Sequence, residues 1–151
     1  MATVAMSGND TVILFNRTFA DFADGTCAEL TYPNEIAAVK TGKNNNSIYA
    51  LNETGNQTDL KLTLIRGSAD DRFLNGLLTQ QMSNFAGTVL AQGEFVKRIG
   101  DGKGNISNDT YIVGGGVFVK RAEAKTNVEG DTSASTVIYT MRFANSPRVL
   151  T

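Results

Sequence analysis

Residues 68–87, SADDRFLNGLLTQQMSNFAG, decide how the rest of the chain is read. Ser68 is placed to cap a first helical turn, and Asp70 and Asp71 fall where the positive end of the helix dipole favours carboxylates. Gly87 is placed to end the helix. Phe73, Leu74, Leu77, Leu78, Met82 and Phe85 recur at spacings that gather them on one apolar face. The sequence on either side is written instead in strand alternation and turn residues. One amphipathic helix among strands predicts a mainly β (α+β) domain, a β-sandwich or barrel with the helix flanking an open end or face and with long hairpin loops.

Working outward, residues 59–66 alternate Leu60, Leu62 and Leu64 with Lys61 and Thr63, the two-residue period of a half-buried strand. Residues 11–22 read as a strand pair or one long bent strand closing at an Asp24-Gly25 turn, with residues 26–32 as the returning strand. Pro33-Asn34 breaks it. Residues 36–40 and 47–51 are short strands around the polar run 41–46, TGKNNN, and residues 52–57 form a further polar turn. Beyond the helix, residues 88–99 read as a strand interrupted by Gly93, and residues 100–105, GDGKGN, as a turn. Residues 110–121 form a strand around Gly114, Gly115 and Gly116, where a bend, a bulge or close approach of another backbone is expected. The loop 127–135 then leads to a last strand, 136–143, with Val137, Tyr139, Met141 and Phe143 on one face. Pro147 is expected to end regular structure.

The chain of 151 residues fits one domain, 1–151, large enough for a core without disulfide or metal staples. Histidine is absent, which removes the commonest general base, metal ligand and pH switch. Lys+Arg 14 against Asp+Glu 15 leaves no basic excess for gripping a phosphate backbone. Cys27 is the one cysteine, so no intrachain disulfide forms; it reads as a small buried apolar residue. The first residues carry no basic segment leading into a sustained apolar run, so neither a signal peptide nor a membrane span is expected, and the protein is expected in a cytoplasm. Asn-x-Ser/Thr matches at Asn9, Asn16, Asn45, Asn52, Asn56, Asn105 and Asn108 follow from the turn chemistry of asparagine.

Catalytic chemistry finds no footing. The GDGKG run has Gly104 after Lys103, where a phosphate loop needs Ser or Thr on magnesium. As a calcium loop it fails as well, with Lys103, Ile106 and Ile112 at liganding or turn positions. Asp70 and Asp71 are neighbours on a helix and do not face each other across a substrate as a glycosidase pair must. A serine nucleophile lacks its base. No enzyme activity and no cofactor or metal is expected. The polar stretches 41–57, 100–109 and 127–135 are long for so small a domain, and they suit either binding or ordinary solvated hairpins.

The segments DTVILFNRTFADFADGTCAEL, TGKNNNSIYA, TDLKLTLIRGSADDRFLNGLL and AKTNVEGDTSASTVIYTMRF, in this order, resemble the tail tube protein family of bacteriophages, especially those with contractile tails. Type VI secretion and tailocin tubes are related to it. The resemblance is one of general layout and covers nearly the whole chain. It implies hexameric rings stacked into a hollow tube that conducts the genome, with sheath, baseplate and tape-measure proteins as partners and the virion tail, assembled in the bacterial cytoplasm, as the location. It implies that Lys43, Asn44, Asn45, Asn46 and Asn52 lie on a hairpin touching the adjacent ring and that Phe73, Leu77, Leu78 and Met82 seat the helix on the sheet. Lys61 and Thr63 would face the lumen, although any solvent-facing sheet shows the same polar alternation. DNA would pass without specific binding. A monomeric ligand-binding barrel and a protein-exporting secretion tube are the competing readings.

Overall fold

Leu60, Leu62 and Leu64 are wholly buried in the strand that organises the domain, while Lys61 between them is exposed. That strand is β7 (Thr58–Ile65). The computed structural model describes residues 4–6, 11–22, 28–124 and 135–150. The expected Asp24-Gly25 turn, Cys27, Asn9 and nearly all of the loop 127–135 lie outside them.

The remaining strands are β1 (Ala5–Met6), β2 (Thr11–Leu14), β3 (Arg17–Phe19), β4 (Ala28–Thr31), β5 (Ala37–Thr41), β6 (Ser47–Leu51), β8 (Ala91–Gly100), β9 (Ile106–Phe118), β10 (Glu123–Ala124), β11 (Thr136–Asn145) and β12 (Arg148–Leu150). One antiparallel sheet runs β3-β2-β8-β9-β11-β7-β4, with β1, β10 and β12 added at its margins. Phe22, just past β3, bridges Leu64 of β7, and the Ile65 N–H donates to the Asp21 carbonyl at 2.9 Å. The chain leaving one edge of the sheet thus touches β7, the strand next to the opposite edge, and the sheet curls toward a barrel around one core. Leu14, Phe19, Phe95, Val113, Tyr139, Met141 and Phe143 fill it together with the β7 leucines.

Residues 11–22 resolve into a strand pair. Phe15 and Asn16 both take left-handed angles (φ 53° and 60°), as a two-residue hairpin turn of this hand requires. The returning strand does not pair with them. Instead β4 lies against β7 (Ala28 opposite Leu62), because Leu30 and Ala28 find the core there. Of the bend, bulge or close backbone approach expected at the glycine run, the structure has a bulge: Ala91 faces Gly116 and Gly93 faces Val113, so β9 spends one residue more than β8, with Gly115 at φ 66°. Gly116 lies beneath Phe143, whose ring a β-carbon there would meet at 2.3 Å. Pro147 turns the chain without ending regular structure, since β12 pairs with β9 from Arg148 opposite Tyr111.

The helix α1 (Ala69–Ser83) closes the barrel on one side. Ser68 caps it by accepting from the Asp71 N–H at 3.3 Å. It stops four residues before Gly87: Asn84 leaves helical angles, its N–H still bonding the Gln80 carbonyl, and Phe85–Gly87 form a 3-10 turn. Leu74 and Leu78 are buried, and Phe73 and Leu77 pack partly against the core. Met82 does not seat the helix: it is 52% exposed, and Phe85 is 68% exposed. The Gln81 side chain marks where the helix leaves the sheet, its amide bonding both the N–H and the carbonyl of Phe118 at 3.0 and 2.9 Å.

Candidate functional site

Strands β5 and β6 form a separate two-stranded sheet, Val39 opposite Tyr49 and Ala37 opposite Leu51, and every residue of both strands is exposed. Across the two strands, one face carries Val39, Tyr49 and Leu51 and the other Ala38, Ile48 and Ala50 with Lys40 opposite Ile48. Tyr49 is 76% and Leu51 80% exposed. A lone hairpin is marginal in water and gains nothing from apolar side chains on both faces. The arm therefore has the composition of a buried element and the surroundings of a solvated one.

Its two ends are built locally. At the tip, Lys43–Asn45 form a 3-10 turn in which Asn44 and Asn45 adopt left-handed angles that asparagine tolerates well. The Asn46 carbonyl accepts from the Gly42 N–H at 2.6 Å, and the Asn46 amide donates to the Lys43 carbonyl at 3.1 Å. The asparagines thus have a folding role at the turn, which leaves Lys43 as the tip's charged side chain. Asn52 is not near the tip. It lies at the base, about 16 Å away along five residues of strand, where it accepts from the Thr54 hydroxyl at 2.7 Å.

The base is clamped. Asn34 donates to the Thr54 carbonyl and the Gln57 side chain, both at 3.1 Å, and the Asn52 N–H donates to the Ile36 carbonyl at 2.8 Å. Gly55 is buried against Ile36, whose α-carbon a side chain there would meet at 2.7 Å. These contacts tie the two stems of the arm, residues 34–36 and 52–57, to each other, so that the root of the arm has less ordering entropy to lose on entering an interface.

Sequence reasoning placed the interest of this hairpin on Lys43 and the asparagines and missed Ile36, Val39, Ile48, Tyr49 and Leu51. A signal was present: AAVKT and SIYAL lack the polar alternate positions that a half-buried strand shows.

Lys61 and Thr63 lie on the outer face of β7, alternating with its buried leucines. Lys61 sits opposite Glu29 of β4, and Asp59 pairs with Arg142 across β7 and β11 at 2.7 Å. This stretch of wall therefore presents two carboxylates and two cations, balanced side by side. A second apolar surface follows the helix, where Met82, Phe85, Val89 and Leu90 are all more than half exposed.

Among the described residues no group of three or more His, Cys, Asp or Glu side chains could hold a metal, and no helix is long and apolar enough to cross a membrane. Fold and site together define a class: an antiparallel, barrel-like domain with one flanking helix, carrying a clamped apolar arm. The chain matches no protein-family model and no curated protein.

Proposed function

We propose that this chain is the repeating subunit of a hollow tube of the phage-tail kind, six copies to a ring and rings stacked into a conduit for a genome. The arm carries this reading. Among the described residues nothing covers its apolar faces, hydrogen bonds tie its two stems together at the base, and an element of this kind stabilises an assembly by adding to a neighbour's surface. The balanced charges of Asp59, Lys61, Glu29 and Arg142 suit a lumen wall past which a polyanion slides, because a basic wall would hold each phosphate in turn. Sheath, baseplate and tape-measure proteins would be the partners, and the virion tail the location.

A ligand-binding barrel has one observation in its favour, an open apolar depression of about 320 Å³ lined by Val12, Leu30, Phe95 and Tyr111. The barrel interior itself is filled by Leu14, Leu60, Leu62, Met141 and Phe143, which leaves the depression at the surface. Negative-stain electron microscopy with light scattering across concentration separates the two. Hollow rings or tubes are expected, and a monomer at every concentration would sink the tube reading.

A further inference from the structure

We infer that the arm of one copy seats in a glycine-floored groove on the outer face of β2, β8 and β9 of a second copy, an inference that rests on the proposed self-assembly and names its acceptor. The groove encloses about 540 Å³ between the apolar walls Ile13 and Ile112, with the amides of Asn16, Gln92 and Asn145 around it and Glu94 as the charged residue among those that line it. Gly114 lies on its floor.

The glycines beneath the groove divide by cause. At Gly93 a β-carbon would meet the Ile13 carbonyl, at Gly115 the backbone is left-handed, and at Gly116 the Phe143 ring occupies the space. At Gly114 a β-carbon would meet nothing within 4 Å, and φ is not in the left-handed region. A glycine inside a strand costs backbone entropy and packing, and where its own subunit does not need it, it marks close approach from outside. Val113 points into the core, so alternation turns the open side of Gly114 outward into the groove.

Charge selects the occupant and the site. Between residues 37 and 51 the arm carries Lys40 and Lys43 and no carboxylate. A comparable groove beside the helix is lined by Arg121, which would repel them, and in the depression at β4 the Asp109 carboxylate is already paired with Arg148 at 2.7 Å. Glu94 is the matching charge. With the Val39–Tyr49 face laid on Gly114, Lys43 lies about 13 Å further along the arm, while Glu94, beside Ile112, lies about 7 Å along the sheet from Gly114. The length of a lysine side chain spans that difference. Arm and groove are different surfaces, so the contact is heterologous and each copy both gives and receives.

The test is charge exchange combined with site-directed cross-linking, on the full chain. Lys43→Glu and Glu94→Lys should each raise the concentration needed for assembly, read by light scattering, by about tenfold, and the double exchange should restore it. In a Cys27→Ser background, a mixture of Tyr49→Cys and Gly114→Cys chains should give covalent dimers on oxidation that neither gives alone. Assembly of the unaltered chain without rescue and without the mixed dimer would overturn the seat and leave the tube reading standing. A chain that never assembles would overturn both.

Discussion

Asp70 joins two distant parts of the chain through one carboxylate. Only 2% exposed, it accepts from the Ala20 and Asp21 N–H groups at 2.9 and 3.0 Å and from Arg17 at 3.0 Å, while the Asp21 carboxylate accepts in return from the Asp70 N–H. Burial pushes its pKa up, but the two backbone donors and the guanidinium outweigh this and hold it below the ordinary 3.8. A folded-state value below the unfolded one contributes stability that is present above the ordinary carboxylate range and lost as pH falls through the folded value. Asp70→Asn should therefore cost about 2 kcal/mol near neutral pH, lowering Tm by about 4–8 °C, and the deficit against the unaltered protein should narrow on acidification below about pH 4. Thermal melts across pH check this, and a deficit that stays constant would mean the carboxylate is not the latch. A helix-dipole role for Asp70 was legible in the sequence. Its tie to Arg17 and Ala20 was not, because the partners lie fifty residues away and local spacing carries no signal of them.

At the scale of elements, helix and arm behave oppositely. The helix is stitched at three points, by Asp70 to the segment after β3, by Asp71 to the Tyr139 hydroxyl, and by Gln81 to Phe118. Phe73 adds edge and tilted contacts to Phe15 and Phe19 at 6.0 and 6.2 Å, with the Arg17 guanidinium 5.0 Å from its ring centre. The arm contributes no side chain to the core. Replacing residues 37–51 by an Asn-Gly turn should leave Tm within about 2 °C of the full chain and abolish assembly, which circular dichroism and sedimentation would show together. Loss of folding would mean that the arm belongs to the body after all. Both strands of the arm were legible from their turn residues, but their exposure was not, since apolar strand residues read alike whether they meet the core or project from it.

At the scale of the whole molecule, a sheet curled toward a barrel leaves few open edges, and exposed apolar side chains stand on the arm, beyond the helix at Met82, Phe85, Val89 and Leu90, and along the sheet at Ile106, Ile112 and Leu150. In dilute solution the arm tip should be a substrate for trypsin at Lys43, and burial of the arm between copies, as proposed, would protect it. Cleavage there should slow at least tenfold once concentration exceeds that needed for assembly, with digestion followed by mass spectrometry. Equal cleavage at all concentrations would show that the arm stays free.

Local chemistry alone determined the strand–helix–strand order, the capped helix at Ser68, the alternating core faces of β7 and β11, an irregularity at the glycine run and the lack of histidine chemistry, because each rests on residue types or propensities within a few residues. Tertiary structure decided the rest: that β4 pairs with β7 rather than with the hairpin before it, that the helix ends at Asn84 and leaves Met82 outside, and that β5 and β6 project. Each depends on which surface is left for a segment once the others have packed, and that is a property of the closed sheet rather than of any one stretch of chain.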